Sequence, residues 1–286
     1  MNMYRHNRRR RAELLIPGAL LVMLASSGAY AADEPAAPAA APPAVAAAAP
    51  LPVPEAPPAK DWSVGVSADL VSRYVWRGIL INEDPVVQPS ATLTWKGLSL
   101  NVWQSWDTTD QLNHRGKVQE TDYTLSYSKT VLDGKLTLSG GAILYTFPDA
   151  GVFNTTELFA AATVNTLLSP TIAVYKDIDE SRGLYINPSI SHTITINDKA
   201  NVVLKASVGW GDAKNNGFYL GSAGGEVADY GLSAQLNYSV TSAFVVSPYI
   251  KFSDFIDGDI RTARSAGSSN GKSEQLVVGI SAAYTF

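Results

Sequence analysis

From Asp61 onward, apolar and polar residues alternate with a period of two, and the pattern recurs twelve times. In 62–70, for example, every even-numbered residue is apolar and every odd-numbered one is small or polar. Each repeat has about the 9–11 residues that a tilted transmembrane strand needs, and none approaches the ~20 apolar residues of a membrane helix. The pattern predicts an all-β fold, a 12-stranded antiparallel up-and-down transmembrane β-barrel. The predicted strands are 61–70, 86–95, 98–106, 121–130, 135–146, 155–165, 169–176, 183–193, 200–210, 228–239, 243–253 and 274–286.

The connections between these strands alternate between two lengths. Six are long and rich in Gly, Asn, Asp and Ser, and the five between them are tight. The tight ones are Lys96-Gly97, Leu132 to Gly134, Asn165 to Leu168, Ile196 to Lys199 and Val240 to Ser242. Outer-membrane barrels have short periplasmic turns and longer external loops. A soluble sandwich has no reason to sort its connections in this way.

Outward-facing aromatic residues fall into two groups by height along the predicted strands. A general preference of strands for aromatic residues explains their number but not this sorting. Two girdles at the membrane interfaces explain both. The group near the tight turns is Trp62, Trp95, Tyr127, Tyr238, Phe244, Tyr284 and Phe286, and the opposite group is Tyr123, Trp210, Tyr230 and Phe252.

The inward positions are mostly Ser, Thr, Gly and Ala. Strands about 4.8 Å apart and tilted by about 40° give a twelve-stranded barrel a backbone radius of roughly 12 Å. Small side chains on such a wall predict an aqueous passage, with a lumen filled by loops as the alternative. Five inward charges are predicted to line it, or alternatively to form cross-lumen ion pairs without a role in selectivity: Asp69, Asp122, Glu157, Lys205 and Lys251.

Residues 1–31 have the layout of a secretory signal peptide. Five arginines and one Glu accompany the apolar run 14–25, and Ala29-Tyr30-Ala31 has the small-x-small form of a cleavage site. A retained N-terminal anchor is the alternative. Residues 32–60 are almost entirely Ala and Pro, which favours extended conformations and predicts a disordered periplasmic linker or, alternatively, a tether towards a partner. The β-barrel is predicted for 61–286.

Charge and cysteine content exclude several classes of protein. Without residues 1–31, the chain has 17 basic and 25 acidic residues, a net charge of −8. It therefore lacks the basic footprint of a nucleic-acid-binding protein. The absence of cysteine excludes a disulfide framework and a thiolate metal site.

The segment 72–90, SRYVWRGILINEDPVVQPS, is unlike an ordinary polar loop because it holds two arginines and two aromatic residues. We expect it to pack at the barrel mouth, with Arg73 and Arg77 reaching nearby acids. It resembles the first hairpin of the TorF-like family of proteobacterial porins, and the similarity extends over about 61–107. The family pattern S-x-Y-x-x-R-G, followed by x-P-x-x-Q, falls here on Ser72, Tyr74, Arg77, Gly78, Pro85 and Gln88, with Trp76 inside it. The resemblance implies a small outer-membrane barrel of porin type and lends no catalytic residue or cofactor, and the Ala/Pro segment departs from the family pattern.

An enzymatic alternative is a lipid hydrolase with a serine and a histidine on the lipid-facing wall. Here His192 is outward by parity, Ser191 is inward and His114 lies in a loop, so no nucleophile–base pair is evident. No P-loop or metal-ligand spacing occurs. We therefore expect no enzyme, no catalytic residue, no metal and no cofactor.

Together these features predict a porin-like passive diffusion channel for small solutes, located in the outer membrane of a Gram-negative cell. A non-conducting structural or partner-binding barrel is the alternative. The expected partners are outer-membrane lipid, the transported solutes and the barrel-assembly machinery, which would recognise the last strand ending in Phe286. No nucleic-acid partner is expected.

Overall fold

A computed structural model describes residues 61–110, 115–148, 153–266 and 271–286. The predicted signal peptide and linker, residues 1–60, lie outside the described residues, as does His114.

Twelve strands of the described chain close into an antiparallel barrel, which confirms the predicted fold. Each pairs with the next wall strand in sequence, and the first closes on the last. The wall strands are β1 (Trp62–Val71), β4 (Val86–Trp95), β5 (Leu98–Asp107), β6 (Val118–Val131), β7 (Leu136–Thr146), β8 (Thr155–Val164), β9 (Thr171–Asp177), β10 (Leu184–Asn197), β11 (Ala200–Gly211), β12 (Glu226–Ser239), β13 (Phe244–Phe255) and β14 (Gln275–Thr285). Between β1 and β4 the chain forms a separate two-stranded sheet, β2 (Tyr74–Trp76) and β3 (Ile79–Asn82).

The period-two pattern decides which side chains face outward. On β1 and β14, the apolar even-numbered residues are exposed except for the half-buried Val64, and the odd-numbered ones are partly or fully buried except for the terminal Thr285. The same sorting continues around the wall, where Leu125, Ile172 and Leu232 each leave just over half of their surface exposed. The outer surface is therefore a continuous apolar band, which is far larger than the apolar patches of soluble monomers.

The tight connections all lie at one end of the barrel, which we call the turn end. At the first of them, Lys96 (φ +48°) and Gly97 (φ +88°) form a two-residue turn between the paired residues Trp95 and Leu98. Two successive left-handed residues match the twist of antiparallel strands. The register also places Trp62 opposite Trp95 at this end.

The six longer connections lie at the opposite end, the loop end. Two of them contain short helices, α1 (Ala213–Leu220) and α2 (Gly258–Ala266). Helix α1 begins where the Asp212 carboxylate accepts a hydrogen bond from the backbone N–H of Asn215, and it ends at Gly221 in the left-handed region. No helix in the described ranges is long and apolar enough to cross a membrane.

Candidate functional site in the barrel lumen

The segment between β1 and β4, residues 72–85, forms what we call the lumen hairpin. Trp76 pairs with Ile79, and the turn between them consists of Arg77 (φ +45°) and Gly78 (φ +79°). This is the geometry of a two-residue hairpin loop. It presents the Arg77 side chain at the tip, and Trp76 and Ile79 behind it are almost fully buried.

The hairpin contacts strands on opposite sides of the barrel, so it occupies the lumen. The Tyr74 hydroxyl donates to Oε2 of Glu120 on β6 at 3.1 Å. Arg73 donates to Oε1 of Gln275 on β14 at 3.1 Å. Nδ2 of Asn82 donates to Oδ1 of Asp107 at the end of β5 at 2.8 Å. We expected this segment to pack at the barrel mouth with both arginines on acids. Its partners lie near the loop-side ends of their strands, and Arg77 pairs with an acid whereas Arg73 pairs with an amide.

Arg77 makes the central contact of the hairpin. Its two terminal nitrogens donate to Oε1 and Oε2 of Glu157 on β8 at 3.0 and 2.9 Å. Its guanidinium carbon lies 4.1 Å from the ring centroid of Tyr185, 4.7 Å from that of Tyr175 and 4.4 Å from that of Trp76. Only 10% of the Arg77 side chain and 2% of the Glu157 side chain remain exposed. The cation is thus held by a bidentate carboxylate and three aromatic faces.

Helices α1 and α2 cover the hairpin from the loop end. Tyr219 of α1 packs edge-on against Trp76 with ring centroids 5.0 Å apart, and its hydroxyl donates to Oδ2 of Asp177 at 3.3 Å. On α2, Arg264 donates to the backbone carbonyl of Tyr219, and Ile260 is buried in the same apolar cluster. Hairpin and helices therefore form one packed body inside the barrel.

This body fills the loop-side half of the lumen closely. A cavity beside Arg77 and Asp229 has a volume of ≈ 10 Å³, and another of the same volume lies beside Tyr74 and Glu120. Each has room for about one water molecule. The sequence favoured an open passage over a filled lumen. The described residues instead show the loop-side half closed.

Buried carboxylates surround the hairpin, and tyrosine hydroxyls solvate several of them. Tyr145 donates to Glu157 at 2.9 Å, and Tyr185 donates to both oxygens of Asp229 at 2.8 and 2.9 Å. Buried acids require such partners because an unsatisfied charge in the interior is costly. The nearly inaccessible acids of this region are Asp107, Glu120, Asp122, Glu157, Asp177, Asp229 and Asp254.

The electrostatics of the inserted residues follow from this environment. Burial opposes the charge of Arg77, but the Glu157 carboxylate outweighs it, so the pKa of Arg77 is raised and the residue stays charged. Burial raises the pKa of the Tyr74 phenol well above its ordinary value, and Glu120 and Asp122 add to the shift. Burial likewise raises the pKa of Tyr219, with Glu157 and Asp177 as further causes. These two phenols are therefore neutral donors at physiological pH.

The turn-side half of the lumen is different, and we call it the vestibule. Its wall consists of small polar side chains bonded to one another: Asn101 donates to Ser90 at 2.8 Å and to Thr92 at 2.7 Å. The hydroxyls of Thr163 and Thr171 lie 2.8 Å apart. Most inward residues here keep partial exposure. The vestibule is therefore accessible to solvent from the turn end.

The five predicted pore-lining charges separate into two sets. Asp122 and Glu157 are buried against the hairpin at 3% and 1% exposure, so they do not line an open passage. Asp69, Lys205 and Lys251 remain partly exposed. Lys205 and Lys251 both lie opposite Ser233, one strand away on either side. The Lys251 ammonium also lies 5.1 Å from the Tyr249 ring centroid.

The remaining predicted residues occupy the following positions. Within the motif, Ser72 accepts a hydrogen bond from the backbone of Val278, Pro85 accepts one from Thr108, and Gln88 lies opposite Asp69 on the wall. Phe244 is half-buried opposite Tyr284. The other turn-end aromatics are outward and exposed by 42–63%: Trp62, Trp95, Tyr127, Tyr238, Tyr284 and Phe286.

His192 does not form the serine–histidine pair that a lipid hydrolase would need. Its Nδ1 lies 2.8 Å from the backbone carbonyl of Leu167 at the turn end, and the neighbouring Ser191 belongs to the opposite, inward face. Among the described residues, no group of three or more His, Asp or Glu side chains is placed to hold a metal ion.

Several site residues were missed by the sequence-based reasoning, most clearly Tyr145, Tyr185, Asp229 and Tyr219. A signal was present. Inward parity puts Tyr145, Tyr175 and Tyr185 at the loop-side ends of their strands, where large rings narrow the lumen. Counting the inward-facing aromatic residues at each level along the barrel axis would have indicated that the loop-side half of the lumen is filled.

Comparisons with known proteins add the following. No curated protein matches the chain. The chain is similar in fold to the "KdgM porin in complex with disordered oligogalacturonate" (TM-score 0.48, 10% identity, covering 78% of this chain and 99% of that one). It is also similar to the NanC porin (TM-score 0.48, 12% identity, 77% and 98%) and to OmpT of Vibrio cholerae (TM-score 0.37, 10% identity, 79% and 97%). The sequence profile of a bacterial family of unknown function, Gcw_chp, matches residues 55–247, and the chain therefore belongs to that family.

Proposed function

We propose that this protein is an outer-membrane channel of porin type and that the conformation described here is its closed state. One observation carries the proposal: an apolar-surfaced barrel holds a solvent-accessible polar vestibule, and the obstruction beyond it is not part of the wall. A barrel without transport needs no such lining. The TorF-like porin assignment is part of this proposal.

The outer surface supports the location. Exposed aliphatic side chains encircle the barrel, and exposed aromatics lie at the turn end. Such an arrangement suits an apolar bilayer core bounded by headgroups. With the turn end in the periplasm, the hairpin and helices would close the external side.

The topology supports a movable obstruction. β2 and β3 pair only with each other, and the β1–β4 pair, which the hairpin connects, is made by wall residues from Trp62–Trp95 to Val71–Val86. The lumen hairpin can therefore leave without breaking a backbone ladder of the wall. The Ser72 N–H donates to the backbone carbonyl of Val278 at the base of the hairpin, and beyond that bond side-chain contacts hold the hairpin in place.

A hairpin replacement tests the channel. Val71 and Val86 are paired neighbours, roughly 5 Å apart, so about four Gly/Ser residues can replace 73–84. In planar lipid bilayers we expect rare openings from the intact protein and sustained stepwise conductance from the replacement. Heat-modifiable electrophoretic mobility and circular dichroism verify that both barrels are folded. A folded but silent replacement would refute the channel.

A second function is favoured by one observation, the buried pair of Arg77 and Glu157. A desolvated bidentate ion pair fixes the hairpin firmly, as expected of a non-conducting barrel whose external face binds a partner. The silent replacement described above is the outcome that supports this alternative.

Selectivity of the open channel is assigned to Asp69, Lys205 and Lys251, whose side chains remain partly exposed. Two cations and one anion favour small anions. In the hairpin replacement, Lys205→Glu with Lys251→Glu should shift the reversal potential in a salt gradient towards cations. An unchanged potential would remove these lysines from the pathway.

A further inference from the structure

The surroundings of Arg77 have the composition of a cation-binding site, and almost all of that site belongs to the barrel wall. Glu157, Tyr175 and Tyr185 come from the consecutive strands β8, β9 and β10. Of the groups that contact the guanidinium, only Trp76 belongs to the lumen hairpin. When the hairpin moves, the wall part of the site stays behind.

The wall part is held in shape by contacts that do not involve the hairpin. Tyr145 donates to Oε2 of Glu157 at 2.9 Å, which fixes the carboxylate from β7. Tyr175 packs between Phe159 and Tyr185, with ring centroids 6.0 and 6.2 Å away. Tyr185 is fixed in turn by both oxygens of Asp229. Such a site keeps its shape and pays little ordering entropy when a ligand enters.

Charge and geometry specify the class of ligand. Without Arg77, the buried carboxylate of Glu157 loses its cation, and an uncompensated buried charge is strongly unfavourable. Both carboxylate oxygens face the cation, which matches the planar two-donor edge of a guanidinium. The faces of Tyr175 and Tyr185 add cation–π attraction on a flat ion. A spherical ammonium satisfies the two oxygens less well.

We propose that the wall site around Glu157 binds small solutes carrying a guanidinium group and that Arg77 is a tethered competitor occupying the same site. This inference rests on the proposed channel function, because it names a class of ligand that would displace the hairpin and so open a channel that favours small anions. Arg77 lies in the left-handed region at φ +45°, a backbone conformation that is strained for a non-glycine residue. A free solute binds without that cost.

The test uses the full-length barrel in detergent with Arg77→Ala, which empties the site and leaves the wall residues unchanged. The probe is methylguanidinium chloride, and the readout is the thermal unfolding temperature as a function of probe concentration. We expect a saturable rise in Arg77→Ala, with an apparent affinity at least tenfold higher than in the wild type. Tetramethylammonium, a cation without a planar donor edge, should bind at least tenfold more weakly than methylguanidinium, and the neutral N-methylurea should give no saturable rise.

Two further variants separate site binding from general effects. Arg77→Ala with Glu157→Gln removes the carboxylate charge and should abolish the response. Arg73→Ala removes the neighbouring arginine, which contacts Gln275, and should behave as the wild type because Arg77 still fills the site. Equal responses in Arg77→Ala and in the double variant would overturn the proposal, as would no response from a folded Arg77→Ala barrel.

Folding and conductance are controlled separately. Arg77→Gln keeps the length of the side chain without its charge and replaces Arg77→Ala if that variant does not fold. Failure of both to fold would show that Arg77 is structural and would overturn the competitor role. Probe binding in a barrel that never conducts would sustain this inference and refute the channel, whereas conductance without binding would do the reverse.

Discussion

Gly78 lies against the ring of Phe255: a Cβ on residue 78 would come within 3.1 Å of Cε1 and 3.2 Å of Cζ of that ring. The same Cβ would lie 3.3 Å from Cβ of Asp229. Gly78 also has φ +79°, a conformation that residues with a Cβ adopt at a cost. The tip of the lumen hairpin therefore requires glycine for its turn and for its fit against β12 and β13.

We expect Gly78→Ala to loosen the docked hairpin while leaving the barrel wall intact. The substitution adds roughly 1–2 kcal/mol of left-handed backbone strain, and the crowded methyl group adds to it. Trypsin cleavage after Arg77 measures the effect, because the bond is reachable only when the hairpin leaves the lumen. The rate should rise by about tenfold or more, following the population of the open form.

Gly65→Ala is the matched control. Gly65 also faces the lumen, but a Cβ there would have no atom within 4 Å and its φ is not left-handed. Its cleavage rate should equal that of the wild type. Equal rates for all three proteins would show that Gly78 does not hold the hairpin in place.

Glu157→Gln should release the hairpin more strongly than Gly78→Ala. The substitution keeps an oxygen that can accept from Tyr145 but removes the negative charge beside Arg77. Breaking a buried ion pair on one side costs on the order of 3–5 kcal/mol, because the other charge stays buried without its partner. Trypsin cleavage after Arg77 should then accelerate by at least a hundredfold, with more frequent openings in planar bilayers.

Glu274→Gln provides the comparison on the surface. Glu274 pairs with Lys272 at 3.3 Å, but both side chains are exposed, and such pairs contribute little to stability. Cleavage and conductance should not change in this variant. A Glu157→Gln protein that behaves like Glu274→Gln would mean that the ion pair does not keep the channel closed.

The barrel wall was predictable because the orientation of each side chain depends on its position within its own strand. In strands such as β1 and β14, period-two alternation alone decides which residues face outward. The tight turns were equally predictable, since Lys96-Gly97 joins two paired strand ends. The predicted strand bounds accordingly lie within a few residues of those observed.

The closed lumen was not predictable in the same way, because it depends on contacts between distant segments. Arg77 and Glu157 are separated by 80 residues, and Arg73 and Gln275 by 202. The composition of 72–90 indicated a packed segment, but the strand pattern does not indicate how far a loop inserts into the barrel lumen. Tyr145 and Tyr185 become part of the site only because the folded chain places Arg77 between their strands.

Neighbouring substitutions on β1 test which face meets lipid. Ala68 is outward and exposed near the middle of the strand, and Ser67 is inward and beside Asp69. Ala68→Lys should cost about 2–4 kcal/mol in a bilayer, since a lysine on the lipid face near the midplane loses its hydration. Ser67→Lys should cost much less, because its ammonium reaches lumen water and the Asp69 carboxylate.

The measurement is denaturant unfolding in lipid vesicles, followed by tryptophan fluorescence. The difference between the two lysine variants is the relevant quantity, because both add the same side chain to the same strand. Equal losses of stability, or a larger loss for Ser67→Lys, would contradict the assignment of the outer face to lipid.

High pH should undock the hairpin, and Tyr74 should be one cause. Burial raises the pKa of Tyr74 well above the ordinary value of about 10, and the nearby carboxylates of Glu120 and Asp122 raise it further. The docked hairpin therefore holds the phenolic proton more tightly than the undocked one. This contribution to docking is complete below about pH 10 and is lost as the pH rises from there towards the pKa of the docked state. Subtracting the tyrosinate absorbance of Tyr74→Phe from that of the wild type isolates this residue, and the difference should stay at zero through pH 10. A tyrosinate signal in that difference with its midpoint near pH 10, in a folded barrel, would show that Tyr74 is not buried against Glu120.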